Sequence, residues 1–190
     1  NIPDSVTTIG EWAFRECTGF KGDLVIPGSV TEIGYMAFWC CSGFTGSLEL
    51  SEGLKSIGDT AFGGCSGFDS LKLPKGLKSI EGGAFADCKG FTGELAIPDS
   101  VTTIGKGAFS DCTGFTGDLV LPDKLTYLEE YAFSDCTSFT GDLIIPGSLT
   151  KVGDHAFENC NGFTGKLVIS DGVDEIGVST FENCNGFKGK

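Results

Sequence analysis

The stretch IPDSVTTIGKGAFSDCTGFTGDLV, residues 97–120, recurs along the whole chain and decides the fold. Its register is carried by Cys17, Cys41, Cys65, Cys88, Cys112, Cys136, Cys160 and Cys184, spaced 24 residues apart except for one step of 23 between Cys65 and Cys88. Phenylalanine keeps the same step in two rows. One row is Phe14, Phe38, Phe62, Phe85, Phe109, Phe133, Phe157 and Phe181. The other is Phe20, Phe44, Phe68, Phe91, Phe115, Phe139, Phe163 and Phe187, and the two rows hold every phenylalanine in the chain. The prolines share one repeat position, with Ser51 and Ser170 filling its two gaps. A period of about 20–50 residues signals a solenoid, a propeller or an array. Phase-locking this strict predicts side chains stacked directly above one another in successive coils.

Written as I-P-x-S-V-T-x-I-G-x-x-A-F-x-x-C-x-G-F-x-G-x-L, the unit resembles the BspA-like leucine-rich repeat. That family dresses the general L-x-x-L-x-L pattern with Ile-Pro, Ala-Phe and Cys markers. Phe68, Leu71 and Leu73 keep the ordinary spacing, whereas Phe115, Leu119 and Leu121 contain one inserted residue, which accounts for the longer step. The resemblance covers all 190 residues. It implies an α/β-type repeat solenoid, with a parallel β-sheet on the concave side and short helical or 3-10 turns on the convex side. For function it implies a bacterial cell-surface, extracellular protein that adheres to host extracellular proteins or to other cells.

Residue by residue, Asp118-Leu119-Val120-Leu121-Pro122 alternates and ends at a breaker, which predicts a short strand. Leu119 and Leu121 then point inward and Asp118 and Val120 outward. Val101 and Ile104 cover the core from the next segment. The glycine that follows (Gly10, Gly34, Gly58, Gly105, Gly153, Gly177) suits a corner needing positive φ, and Glu81 and Glu129 at that position predict another backbone state or slight strain. Ala108, Phe109 and Cys112 have the one-turn spacing of a short helix or 3-10 turn. A parallel β-helix, with two or three strands per coil, is the alternative at the level of the fold.

Composition points to one elongated domain over residues 1–190, of about eight 23–24-residue repeats, since a repeat array has no separate core for each half. The apolar content of 40% argues against disorder. A formal charge of −13 makes nucleic acid or an anionic membrane surface a poor partner. No run is long and apolar enough for membrane insertion. Asn1 and Lys190 both fall in mid-repeat, so the chain reads as a fragment of a longer protein.

The nine cysteines permit a disulfide framework in a surface protein. Stacked equivalents have parallel Cβ vectors, however, and a disulfide needs a χ₃ near about 90°, so buried free thiols are expected. Cys40, beside Cys41, is the odd one out and the candidate for exposure. With no C-x-x-C pair and His155 as the sole histidine, neither a zinc site nor a Ser-His or Cys-His catalytic site is expected. His155 falls at a repeat position held elsewhere by Trp12, Met36, Thr60 and Tyr131, and reads as a variable surface residue. Glu129-Glu130 reads as a solvated acidic face. No phosphate or dinucleotide loop is present, so no cofactor and no enzyme are expected.

What differs among repeats is the surface. One outward row of the predicted concave sheet reads Asp23, Ser47, Ser70, Glu94, Asp118, Asp142 and Lys166. The other reads Val25, Glu49, Lys72, Ala96, Val120, Ile144 and Val168. The C-terminal half thus carries an apolar stripe, Ala96, Val120, Ile144 and Val168, flanked by Glu94, Asp118 and Asp142. Such a patch marks a partner surface, although strand propensity alone also selects β-branched residues. One carboxylate per coil is too few for a calcium cage. A second candidate is the aromatic group Trp12, Tyr35 and Trp39, suited to stacking on a sugar ring or to partial burial. Three functions follow: a protein-binding adhesin, a structural spacer with no ligand of its own, and a glycan-binding repeat domain.

Overall fold

The computed structural model describes residues 1–188. We number its coils by their cysteines, from Cys17 in coil 1 to Cys184 in coil 8. Each coil contributes to three walls around one continuous core, and two of the walls are parallel sheets.

The first sheet is formed by the predicted L-x-L strands. Leu24–Val25, Ser47–Glu49 and Ser70–Lys72 pair in that order, as do Leu143–Ile145 and Leu167–Ile169 further on. Between them the ladder lapses, and that stretch of the face holds Gly117–Asp118 and Phe139–Thr140, which pair with each other in a small separate sheet. The alternation nevertheless holds across this gap, with Leu119 and Leu121 buried and Val120 70% exposed.

The second sheet was not anticipated. The T-x-I segments, expected only to cover the core, form a six-stranded parallel sheet of Ser56–Ile57, Ser79–Ile80, Thr103–Ile104, Tyr127–Leu128, Lys151–Val152 and Glu175–Ile176. Thr8–Ile9 pairs with Glu32–Ile33 in the same manner. Two strands per coil is a count that a parallel β-helix would share. The third wall sets this fold apart.

That wall, the Ala-Phe-x-x-Cys arc, contains no helix and no 3-10 segment among the described residues, and this corrects the expected helical or 3-10 convex side. The hydrogen bonds give the reason. In coil 5 the N–H groups of Ala108, Ser110 and Cys112 donate back three residues, to Gly105, Gly107 and Phe109. The alternate N–H groups, of Gly107, Phe109 and Asp111, donate instead to Glu130, Ala132 and Ser134 of coil 6, at 2.8–2.9 Å. A helix keeps all its interior N–H groups within its own segment, so the arc is a run of turns. The same three rows of inter-coil bonds are unbroken at every junction from coil 1 to coil 8.

To alternate in this way, two residues per coil enter the left-handed region. One row is Glu16, Cys40, Gly64, Asp87, Asp111, Asp135, Asn159 and Asn183, mostly types that tolerate that conformation. The other is Trp12, Met36, Thr60, Gly83, Gly107, Tyr131, His155 and Ser179, where most of the side chains do not favour it. The corner glycines, expected at positive φ, are not there, and neither are Glu81 and Glu129, which removes the strain expected of them. Glycine serves the corner by close approach instead: a Cβ on Gly105 would lie 2.7 Å from the nitrogen of Gly82.

Inside, both phenylalanine rows stack. The Phe14-to-Phe181 row has ring centroids 5.0–5.7 Å apart and planes within 15° of parallel. The Phe20-to-Phe187 row is spaced 5.0–6.2 Å. In several coils the two rings meet edge to face, as for Phe109 and Phe115. These are favoured aromatic geometries, and each buried ring adds to the burial energy of its coil and its neighbours.

All nine cysteines are free, as the stacking geometry requires. From coil 2 onward each ladder thiol donates to the carbonyl of the phenylalanine one coil earlier, as Cys112 does to Phe85 at 3.0 Å. Burial pushes the Cys88, Cys112 and Cys136 thiols upward, suppressing the reactive thiolate. Cys40 is half-buried, in the same class as Cys17 and Cys184.

Candidate functional site

Three outward surfaces depart from the repeat enough to be candidates. The first is the L-x-L face. In its apolar row Val120, Ile144 and Val168 are 70%, 55% and 42% exposed, and Ala96 is exposed beside them. Ile144 and Val168 are direct ladder partners, so their side chains stand next to each other on the solvent side. Ile169 is also exposed, at the repeat position where Leu121 is buried. At the other end of the row Val25 is cut off from this stripe by Glu49 and Lys72, which form a loose pair at 3.8 Å.

Glu94, Asp118 and Asp142 line the adjacent row and are exposed. Asp142 accepts the Lys166 backbone N–H at 2.7 Å, a bond that leaves its negative charge uncompensated. Among the described residues no lysine or arginine comes within ion-pair distance of these three carboxylates. Asp23 occupies the same repeat position at the N-terminal end of the row. The Ser47 N–H and hydroxyl, at 2.7 and 3.0 Å, hold Asp23 below the usual carboxylate range.

The second surface is the N-terminal aromatic group. Trp12 and Tyr35 are exposed and meet edge to face with centroids 6.1 Å apart. Trp39 does not join them as an open platform, because the Arg15 guanidinium lies 4.8 Å over its ring.

The third surface went unrecognised in the sequence. On the T-x-I sheet at coils 5 to 7 a hollow is walled by Lys106, Tyr127, Glu129, Glu130, Lys151 and Asp154. Tyr127 is 63% exposed. Lys106 Nζ reaches Glu130 at 2.6 Å, and Lys151 reaches Glu175 at 2.7 Å. Each carboxylate holds its lysine above the ordinary lysine range, chiefly through that hydrogen bond. Beside the hollow His155 stacks on Tyr131 at 4.6 Å with planes 2° apart, while its Nδ1 lies 3.0 Å from Glu158. The one signal in the sequence was Tyr127 itself, the sole aromatic in its repeat row.

Among the described residues no three His, Cys, Asp or Glu side chains converge as metal ligands, and no helix is long and apolar enough to cross a membrane. The chain matches a family model described as the BspA type leucine rich repeat region, in six copies over residues 1–116 and 115–189. Among solved structures, the Treponema pallidum leucine rich repeat protein TpLRR aligns with a TM-score of 0.75 at 28% identity, covering 87% of this chain and 78% of its own. A leucine-rich repeat protein of Bacteroides ovatus ATCC 8483 aligns with a TM-score of 0.76 at 26% identity. That alignment covers 98% of this chain but 58% of the Bacteroides protein. No curated protein sequence matches the chain.

Proposed function

This chain belongs to the BspA-type leucine-rich repeat family, and from that membership we propose that it is a cell-surface binding module. It adheres to host extracellular proteins or to other cells through its L-x-L face. The observation that carries this reading is the exposed stripe of Val120, Ile144 and Val168 beside three carboxylates with no cationic partner among the described residues. A contiguous apolar patch rimmed by charge is the usual surface of a protein contact, and solenoids present such rows over long distances without closing a pocket.

The test is binding of the protein to immobilised matrix proteins and to whole cells, alongside the variant Val120→Lys, Ile144→Lys, Val168→Lys. Because the three side chains point to solvent, the variant keeps its circular dichroism spectrum, and each change shifts stability by no more than about 0.5 kcal/mol. Saturable binding that the folded variant loses is the expected result. Equal binding by both proteins would move the site off this face. Binding by neither would favour the spacer, a rod whose continuous core does the work without a ligand.

A further inference from the structure

We propose that the hollow on the T-x-I sheet, about 420 Å³ in volume, is a carbohydrate-binding site that takes a neutral sugar ring against Tyr127. Pockets of this size are large enough for a small ligand. The eight coils provide an internal comparison. At the Tyr127 position the other coils carry Thr8, Glu32, Ser56, Ser79, Thr103, Lys151 and Glu175, all small or polar. The core does not need this ring, since it is largely exposed. Glu129 stands where six other coils place the corner glycine and where coil 4 has Glu81. Tyr127 thus departs from its repeat row on the wall of the hollow without serving the core, and that departure points to a ligand.

The charges define its chemistry. Lys106 is held by Glu130 and Lys151 by Glu175. The Glu129 carboxylate accepts the Lys106 backbone N–H at 3.0 Å. The hollow's three carboxylates, Glu129, Glu130 and Asp154, outnumber its two lysines, so a phosphate, sulfate or carboxylate would meet net negative charge. The carboxylates keep unused lone pairs after these bonds, and Tyr127 offers an apolar ring face with a polar tip. A pyranose matches both: its C–H face packs on an aromatic ring while its hydroxyls donate to carboxylates at the rim. The hollow lies on a different sheet from the Val120 stripe, so this inference stands or falls independently of the adhesin reading.

The experiment is calorimetry and saturation-transfer NMR on the whole chain with hexasaccharides of glucose, mannose, galactose and N-acetylglucosamine. A uronic-acid hexasaccharide and an oligolysine peptide serve as comparators, each at low and high salt. We expect at least one neutral sugar to bind saturably and independently of salt. Tyr127→Thr, which installs the residue that coil 5 has at Thr103, should weaken it about tenfold through loss of the stacking contact. Tyr127→Phe should retain most of it, and so should the Val120, Ile144, Val168 lysine variant. The inference is overturned if no neutral sugar binds at millimolar concentration, or if Tyr127→Thr binds as well as the parent. It is equally overturned if only the uronate or the oligolysine binds and salt abolishes that binding.

Discussion

The Ala-Phe-x-x-Cys arc and the L-x-L face belong to the same coils yet behave differently. Along the arc three rows of inter-coil hydrogen bonds continue without a break, and beneath them the alanine, phenylalanine and cysteine side chains repeat with few exceptions. Thr180 is one exception, and its buried hydroxyl finds the carbonyls of Gly153 and Gly177. Along the L-x-L face the ladder lapses between Lys72 and Leu143, and the outward residues range from lysine to valine. Register follows the stacked side chains. Where the interior is a fixed jigsaw, the backbone rows are held, and where leucine and isoleucine point inward, the outer surface is released to diversify.

The most severe way to break this contrast is Phe109→Ala. It deletes a fully buried ring between Phe85 and Phe133 and should cost about 3–5 kcal/mol in denaturant unfolding. Because coils are stabilised by their neighbours, the transition should also split in two, and a single unchanged transition would contradict the account of the arc. Raising the pH attacks the same wall more gently. Burial pushes Cys184 up to about 11, and the Cys88, Cys112 and Cys136 thiols are also raised. The unfolded chain therefore gives up its thiol protons first. The contribution is fully present below the ordinary thiol value of about 8.5 and is lost as pH climbs through the folded values. Urea midpoints measured from neutral pH upward should fall across that window, and a cysteine-to-alanine variant of coil 8 should fall less. The smallest effect sharpens the contrast from the favourable side. Thr60 holds φ at 53°, where coils 4 and 5 use Gly83 and Gly107. Thr60→Gly should raise stability by about 1 kcal/mol in relief of backbone strain, and a loss would mean that its hydroxyl bond to Asp59 matters more.

Much of this was legible in the residues. The phase-locked Phe and Cys rows announced the stacks, and alternation placed Leu119 inside and Val120 outside. The arc was misread because Ala108, Phe109 and Cys112 have the same spacing in a helical turn as in a run of turns, and i to i+3 bonds occur in both. What separates the two is the destination of the Phe109 N–H, in a coil 23 residues away. The second sheet was hidden because two-residue strands such as Thr103–Ile104 are too short for alternation to register. The corner glycines were correctly singled out for the wrong reason, since close approach and positive φ leave the same letter. Among candidate sites, the Val120 stripe needed only the strand pattern. The Tyr127 hollow needed Lys106 and Lys151 from neighbouring coils, and Glu129-Glu130 looked like ordinary solvated charge until Lys106 was placed between them.

The three rows of bonds along the arc have an electrostatic consequence. Peptide groups linked head to tail in three parallel files are also how an α-helix is built, and there the aligned dipoles sum to about half a charge at each end. Here every N–H in the files points toward coil 8, as in the succession Phe14 to Ala37, Phe38 to Ala61, Phe62 to Ala84. The arc is thus polarised along the solenoid axis like a helix whose chain runs around it instead of along it. Its positive pole faces coil 8, where a helix of the same chain sense would be negative, and each added coil moves the poles farther apart without adding charge.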